Sequence, residues 1–77
     1  MERREKDITM INMLGYNISN ALKKNKVSLS ELGKRLNCHR QTIALRINEP
    51  WRLTIGEVIK IGAAIGVDLR ELLEGVE

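Results

Sequence analysis

The sequence predicts an all-α fold: a compact domain of five helices with a helix-turn-helix near its centre. Apolar residues recur at intervals of three and four along most of the chain, and the alternation typical of strands is absent. Aromatic residues, which favour strands, are limited to one Tyr and one Trp. Three capping-box motifs mark helix starts. They are Ser28-x-x-Glu31, Thr54-x-x-Glu57 and Asp68-x-x-Glu71.

Length and composition narrow the class of protein. Seventy-seven residues suffice for one domain, which we place at residues 1–77. One cysteine excludes an internal disulfide and suits a reducing cytoplasm, so we expect a cytoplasmic protein. The charged start MERREK does not fit a signal peptide, and no apolar run reaches the ~18 residues that span a membrane. We therefore expect no membrane contact.

The first predicted helix runs from about Asp7 or Thr9 to Lys24, and Asn25 ends it. Its apolar stripe is wider than one small core needs. Two interpretations stay open: its N-terminal turns pack on the domain's own last helix, or they contact a second copy in a homodimer. The stripe consists of Ile8, Ile11, Leu14 or Gly15, Ile18 and Leu22, and Met10 and Met13 widen it.

Residues 28–48 predict two short helices joined by a tight turn. The first runs from about Leu29 to Leu36, and the second from about His39 or Arg40 to Asn48. Asn37 tolerates the left-handed backbone that such a turn requires. This is the pattern of a helix-turn-helix, whose second helix lies in the major groove of DNA.

The interior of this motif is also predictable. Leu32 and Leu36 face the core from the first helix, and Ile43 and Ile47 face it from the second. Gly33 lets the next helix approach closely. We expect Cys38 to be a small buried apolar residue without a reactive or metal-binding role, because only His39 is nearby and one Cys with one His is not a zinc set.

The residues predicted to contact DNA bases lie on the outward face of the second motif helix. With Ile43 and Ile47 inward, about 100° per residue turns Gln41 and Leu45 away from the core. An exposed leucine beside a small alanine suits a groove better than solvent. Gln can pair bidentately with adenine, Arg with guanine, and Leu or Ala can touch the thymine methyl. The predicted base-contacting residues are Arg40, Gln41, Ala44 and Leu45.

The segment after the motif begins with Pro50, which ends the preceding helix. Trp51 has two interpretations. It plugs the core, or it lies against a DNA sugar with its indole N–H on a phosphate while Arg52 holds another phosphate.

Two further helices complete the domain. The fourth runs to about Ile65 before a stop at Gly66, and the fifth runs from Leu69 to about Glu74. Ile61 broadens the apolar face of the fourth helix, which implies burial on two sides. The fifth helix is expected to cover one side, and a partner is an open alternative for the other. The residues predicted to face inward are Ile55, Val58, Ile59, Gly62 and Ile65 in the fourth helix, and Leu69, Leu72 and Leu73 in the fifth.

Positive charge is concentrated on the helix-turn-helix and its flanks. Residues 23–52 carry eight Lys/Arg against two Glu, whereas residues 53–77 carry two against five. A basic face can be merely a solvated one, but its coincidence with the motif favours a polyanion as partner. We therefore expect double-stranded DNA to be bound.

Residues 18–73 resemble the lambda-repressor-like helix-turn-helix domains of Cro, phage repressors and XRE-like regulators. The resemblance lies in SLSELGKRLN, in RQTIALRIN and in the tail LTIGEVIKIGAAIGVDLRELL. It implies base contacts at the four residues named above and phosphate contacts at Asn48 and Arg52. Residues 1–17 lie outside it and form an N-terminal extension of helix one.

Several positions depart from the family pattern. Leu29 replaces a phosphate-binding glutamine, and His39 replaces the usual Ser or Thr cap and is expected to meet a phosphate instead. Arg46 replaces an apolar residue and reaches either a phosphate or an acidic neighbour. The predicted phosphate contacts are Ser28, His39, Asn48, Trp51 and Arg52.

Two hypotheses from different classes follow. The first is a sequence-specific DNA-binding regulator, a small phage or bacterial repressor that binds a near-palindromic operator as a homodimer. Because 77 residues leave no room for a sensor domain, we expect it to occlude promoter DNA. The second is a fold used for protein–protein binding, as in an antirepressor, an antitoxin or an inhibitor of a nucleic-acid enzyme. The apolar first helix and the acidic C-terminal part favour it.

The sequence offers little for catalysis. It contains one His and one Cys, and no paired carboxylates fall in an evident cleft, so neither a triad nor a metal site can be assembled. We expect no enzymatic activity, no metal, no cofactor and no small-molecule ligand.

Overall fold

The computed structural model describes residues 2–76, with side chains from Met13 onward. This part of the chain contains five α-helices and a 3₁₀ turn and has no strand, which confirms the predicted all-α fold. The elements are α1 (Glu2–Lys24), α2 (Leu29–Leu36), α3 (Arg40–Asn48), the 3₁₀ turn Pro50–Arg52, α4 (Ile55–Ile65) and α5 (Leu69–Leu72). The side chains of Ile8, Met10 and Ile11, assigned above to the first apolar stripe, lie outside the described residues.

Most helix bounds agree with the sequence prediction, but α1 begins earlier. It starts at Glu2 and not at Asp7 or Thr9. The predicted start followed the apolar stripe, which does not reach the charged first turns. No glycine or proline interrupts the chain before Gly15, so nothing in the sequence ends the helix there.

The core draws residues from all five helices. Ile18 of α1, Leu32 of α2 and Leu72 of α5 are fully enclosed. Full burial of one such side chain stabilises the fold by about 1.5–3 kcal/mol. The other buried apolar residues are Leu14, Ala21, Leu22, Val27, Ile43, Val58, Ile61 and Ile65.

A residue with left-handed backbone follows the end of three helices, α1, α2 and α4. Lys26, Asn37 and Gly66 have φ values of 56°, 56° and 93°. After each of them, the next N–H donates to the carbonyl five residues earlier, as in a Schellman motif. The prediction for Asn37 is confirmed. Lys26 is the unexpected member, because a left-handed L-residue other than glycine costs about 1–2 kcal/mol.

Two of the three predicted capping boxes form only in part. Ser28 Oγ accepts the Glu31 N–H at 3.0 Å, but the Glu31 carboxylate pairs with Arg35 Nε at 3.4 Å instead of reaching back. Asp68 Oδ1 accepts the N–H of Arg70 at 3.0 Å and not that of the residue after it. The box that opens α4, formed by Thr54 and Glu57, is complete.

The fifth helix is shorter than predicted, since it ends at Leu72 and not near Glu74. The amide of Asn17 in α1 donates to the carbonyl oxygens of both residues, at 2.8 and 2.7 Å. These hydrogen bonds satisfy one carbonyl at the end of α5 and one just after it, and they tie this end of the helix to α1.

The inward face of α4 differs from the prediction. Val58, Ile61 and Gly62 are buried as α4 packs against α2 and α5, whereas Ile55 and Ile59 are 63% and 50% exposed. The prediction that Ile55 and Ile59 face the core is therefore wrong. The two neighbouring helices cover one face of α4, and the remaining apolar side chains stay on the surface.

No helix in the described part of the chain has the length and apolar character that crossing a bilayer requires.

Candidate nucleic-acid interface

Close packing against α1 and α2 supports α3, the predicted recognition helix. Ile43 is buried and Ile47 is half-buried, as the periodicity predicted. A Cβ on Gly33 would lie 2.7 Å from the carbonyl oxygen of Cys38, so the absence of a side chain lets the turn close tightly over α2. The predicted close approach at Gly33 is confirmed.

The predicted base-contacting residues lie on the side of α3 that faces away from the core. Arg40, Gln41 and Leu45 are exposed, and Ala44 is half-buried at the rim. Leu45 exposes 61% of its surface. The predicted orientation of the helix is confirmed, and the contacts to bases stay a prediction.

An open groove of about 610 Å³ lies between the end of α1, the start of α2 and the C-terminal half of α3. It brings together three predicted contacts: Ser28, Ala44 and Asn48. Lys23 and Lys26 line the same groove and add two cations to it. We call it the α1–α2 groove.

Sequence reasoning missed these two lysines. The helix dipole favours a cation near a helix C-terminus, so lysines at these positions do not by themselves indicate a DNA contact. The sequence feature that could have identified Lys26 is its distance from the cap residue. Lys26 precedes Ser28 by two residues, so the turn places both beside one groove. The groove therefore offers cationic groups close to Leu29, where the family pattern would place a glutamine.

A second open groove, of about 400 Å³, lies beside the helix-turn-helix turn. His39 and Arg40 line it together with Lys34 and Ser30. His39 precedes α3 at the cap position but makes no side-chain cap bond, so its imidazole is available to another group. This arrangement agrees with the predicted phosphate role of His39 and does not test it.

The 3₁₀ turn after α3 carries the last two predicted phosphate contacts. Trp51 is 55% exposed, so the interpretation of Trp51 as a core plug is wrong, and Pro50 is the buried residue of this turn. Arg52 is exposed, and its Nε lies 2.9 Å from Glu49 Oε1. Such a surface pair contributes about 0–1 kcal/mol, so Arg52 can exchange it for a phosphate at little cost.

Cys38 is exposed, which corrects the expectation of a buried residue. Its backbone carbonyl faces Gly33, and its thiol Sγ lies 3.5 Å from the carbonyl oxygen of Leu36. The tight turn thus uses the backbone of Cys38 for packing and leaves its side chain outside.

Arg46 reaches an acidic neighbour, which was one of its two predicted partners. Its guanidinium pairs with the Glu57 carboxylate of α4. Glu57 also completes a capping box: its Oε1 accepts the Thr54 N–H at 2.9 Å, and its own N–H donates to Thr54 Oγ1 at 3.0 Å. The Thr54 backbone N–H, and next the Arg46 guanidinium, hold the pKa of Glu57 below its ordinary value.

Besides Arg52, which pairs with Glu49 on the surface, two of the eight basic residues in residues 23–52 are engaged within the protein. Arg46 pairs with Glu57, and Arg35 donates to the carbonyl oxygen of Ala64 at 2.7 Å. The basic residues that line the two grooves are Lys23, Lys26, Lys34 and Arg40.

Within the described residues, no three His, Cys, Asp or Glu side chains are placed to hold a metal ion. The exposed α3, its tight turn and the flanking basic grooves define a helix-turn-helix DNA-binding domain. Residues 17–77 match the family of Cro/C1-type HTH DNA-binding domains, and the chain belongs to that family. No curated protein and no solved structure matches the chain.

Proposed function

We propose that the protein is a sequence-specific transcriptional regulator that inserts α3 into the major groove of an operator. The observation that carries the proposal is the exposed face of α3, flanked by two grooves that contain lysine and arginine. Arg40, Gln41, Ala44 and Leu45 contact base edges in this proposal, and membership of a DNA-binding family supports it.

Phosphate contacts hold the helix in register. We assign them to Ser28, His39, Asn48, Trp51 and Arg52, and all five are exposed. Lys23 and Lys26 join this set, because they line one groove with Ser28 and Asn48. These contacts fix the orientation of the protein on DNA without reading its sequence.

Binding as a homodimer is the second part of the proposal. The exposed pair Ile55 and Ile59 lies four residues apart, and therefore on one side of α4, the helix that follows α3 after the 3₁₀ turn. A second copy is the occupant we assign to this face, because a two-fold pair sets two copies of α3 about one DNA turn, ~34 Å, apart.

The size of this apolar face indicates a weak dimer. Ile55 and Ile59 offer on the order of 200 Å² per copy, well below the roughly 800 Å² per partner of a stable interface. Two copies therefore assemble on the operator. Operator titration should give two copies per site with cooperativity that Ile59→Asp abolishes, and a stoichiometry of one copy per site contradicts the homodimer.

Repression is the activity that this geometry performs most simply. A protein bound across a promoter excludes polymerase, whereas activation needs a further contact to the transcription machinery. We place this activity in the cytoplasm of a bacterium, on a bacterial or phage promoter, with no catalysis and no cofactor.

The second candidate, a protein-binding function, draws support from the same exposed pair on α4. Selection from a random DNA pool at physiological salt separates the two candidates. The regulator should enrich one two-fold-symmetric site with nanomolar-range affinity. If no sequence is enriched, the DNA-binding proposal is wrong and the protein-binding one is favoured.

A further inference from the structure

Arg46 and Glu57 connect the recognition helix to a helix that is not among its main packing neighbours. α3 packs against α1, α2 and the 3₁₀ turn, whereas α4 packs against α2 and α5. The guanidinium of Arg46 spans this gap and meets the Glu57 carboxylate near the start of α4. The ion pair is therefore a direct side-chain link between α3 and α4.

Glu57 is a fixed partner for this link. One carboxylate oxygen accepts the Thr54 N–H while the other meets Arg46, and the Glu57 N–H is bonded to Thr54 Oγ1. The carboxylate is thus held before Arg46 reaches it, and less side-chain entropy is lost when the pair forms.

The apolar side chains that α3 buries form a narrow stripe. Ile43 is the one buried side chain of this helix, and Ile47 is half-buried. Arg46 lies at the edge of this narrow stripe, where a fixed attachment resists rotation about the helix axis. Such a rotation would move Gln41 and Leu45, on the opposite side, away from the base edges they are assigned to contact.

We propose that Arg46 and Glu57 are positioning residues that fix the rotation of α3, so that Glu57 contributes to sequence discrimination without a DNA contact. This inference rests on the proposed function for its DNA readout. The link gives Arg46 a role within the protein and not on the DNA backbone.

The direction in which Glu57→Gln changes operator discrimination tests the proposal. Glu57→Gln removes a negative charge, so a purely electrostatic account expects tighter binding to every DNA sequence. The positioning role expects the ratio of operator to non-operator affinity to fall about two- to fivefold, the range of an exposed ion pair. The Arg46 and Glu57 side chains are 37% and 36% exposed, which is why the larger effects of buried pairs do not apply.

Glu31→Gln is the matched control. Glu31 pairs with Arg35 within α2, and none of its hydrogen bonds or ion pairs among the described residues reaches α3. The control variant therefore loses the same charge without breaking a link to the recognition helix. Operator discrimination should stay at the parent value in Glu31→Gln. Equal ratios in both variants, or a higher ratio in Glu57→Gln, overturn the proposal.

Arg46→Met separates positioning from a phosphate contact, because it keeps the aliphatic stem and removes the charge. The positioning role predicts an unchanged slope of affinity against salt with a lower operator ratio. A slope reduced by about one, with the ratio unchanged, makes Arg46 a phosphate ligand and overturns the proposal.

A measurement without DNA tests the link between α3 and α4 independently of the proposed function. Amide hydrogen exchange in α3 should be faster in Glu57→Gln than in Glu31→Gln or the parent. Unchanged exchange in α3 overturns the positioning role. A parent protein that enriches no DNA site refutes the proposed function and leaves this exchange measurement decisive for the link.

Discussion

Gly15 in α1 and Ile47 in α3 meet backbone to backbone: a Cβ on Gly15 would lie under 3.0 Å from the carbonyl oxygen of Ile47. The two helices approach this closely because residue 15 has no side chain. Ile47 immediately precedes Asn48, an assigned phosphate contact. The contact therefore sets how α1 supports the end of the recognition helix.

Gly15→Ala should destabilise the protein by about 1–3 kcal/mol, because the new methyl group meets a backbone oxygen that cannot move aside as a flexible side chain would. This cost exceeds the gain of about 1 kcal/mol from better helix propensity. The free energy of unfolding in urea measures it.

Gly56→Ala in α4 is the control for that experiment. A Cβ on Gly56 meets only Thr54 Oγ1, at 3.8 Å. Stability should stay the same or rise by up to ~1 kcal/mol. An equal loss of stability in both variants contradicts the close contact between Gly15 and Ile47.

Asn17→Ala should cost about 1–2 kcal/mol, because it leaves the carbonyl oxygens of Leu72 and Glu74 without their shared donor. Thermal unfolding measures the loss. Asn20→Ala is the control, since Asn20 is exposed on the same helix and its side chain makes no hydrogen bond among the described residues. Similar melting temperatures for the two variants would remove this link between α1 and α5.

Lys26→Gly should improve stability while weakening DNA binding. Glycine relieves the left-handed strain at residue 26, a gain of up to ~1 kcal/mol. The loss of a phosphate contact should lower affinity for all DNA and reduce the salt slope by about one. Lys24→Ala, which removes a cation outside both grooves, should leave the slope unchanged. A stabilised Lys26→Gly with the parent's slope shows that Lys26 holds no phosphate.

Glu57 makes the stability depend on pH in the acid range. Its pKa is lowered in the folded state by the Thr54 N–H and by Arg46. The stabilisation is therefore complete at neutral pH and is lost as the pH falls below the ordinary glutamate range, about pH 4, and through the lowered pKa. Urea unfolding of the parent and of Glu57→Gln should give stabilities that converge on acidification. A difference that stays constant or widens contradicts the lowered pKa.

Local rules predicted the parts of the fold that depend on neighbours in sequence. The bounds of α2 and α4 follow from their capping residues, and the left-handed Asn37 follows from its place in a tight turn. These features were predictable because the interacting groups lie within a few residues of one another.

Tertiary contacts decided the parts that the sequence did not predict. Apolar residues cover more than one face of α4, and the positions of α2 and α5 determine that Ile55 and Ile59 stay outside. The bonds from Asn17 to the end of α5 join residues more than fifty positions apart, and no local pattern signals them. The pairing of Arg46 with Glu57 was one of two open alternatives until the fold placed α4 beside it.

The central claim is that residues of α3 contact bases while residues flanking it contact phosphates. Two variants on a selected operator test this claim most directly. Gln41→Ala should lose about 1–3 kcal/mol of operator affinity and relax discrimination at its base pair, with an unchanged salt slope. Arg52→Ala should weaken binding to operator and non-operator DNA alike and lower the slope by about one. If both variants bind the operator as the parent does, with the same discrimination and the same slope, the assignment of α3 and its flank to DNA is contradicted.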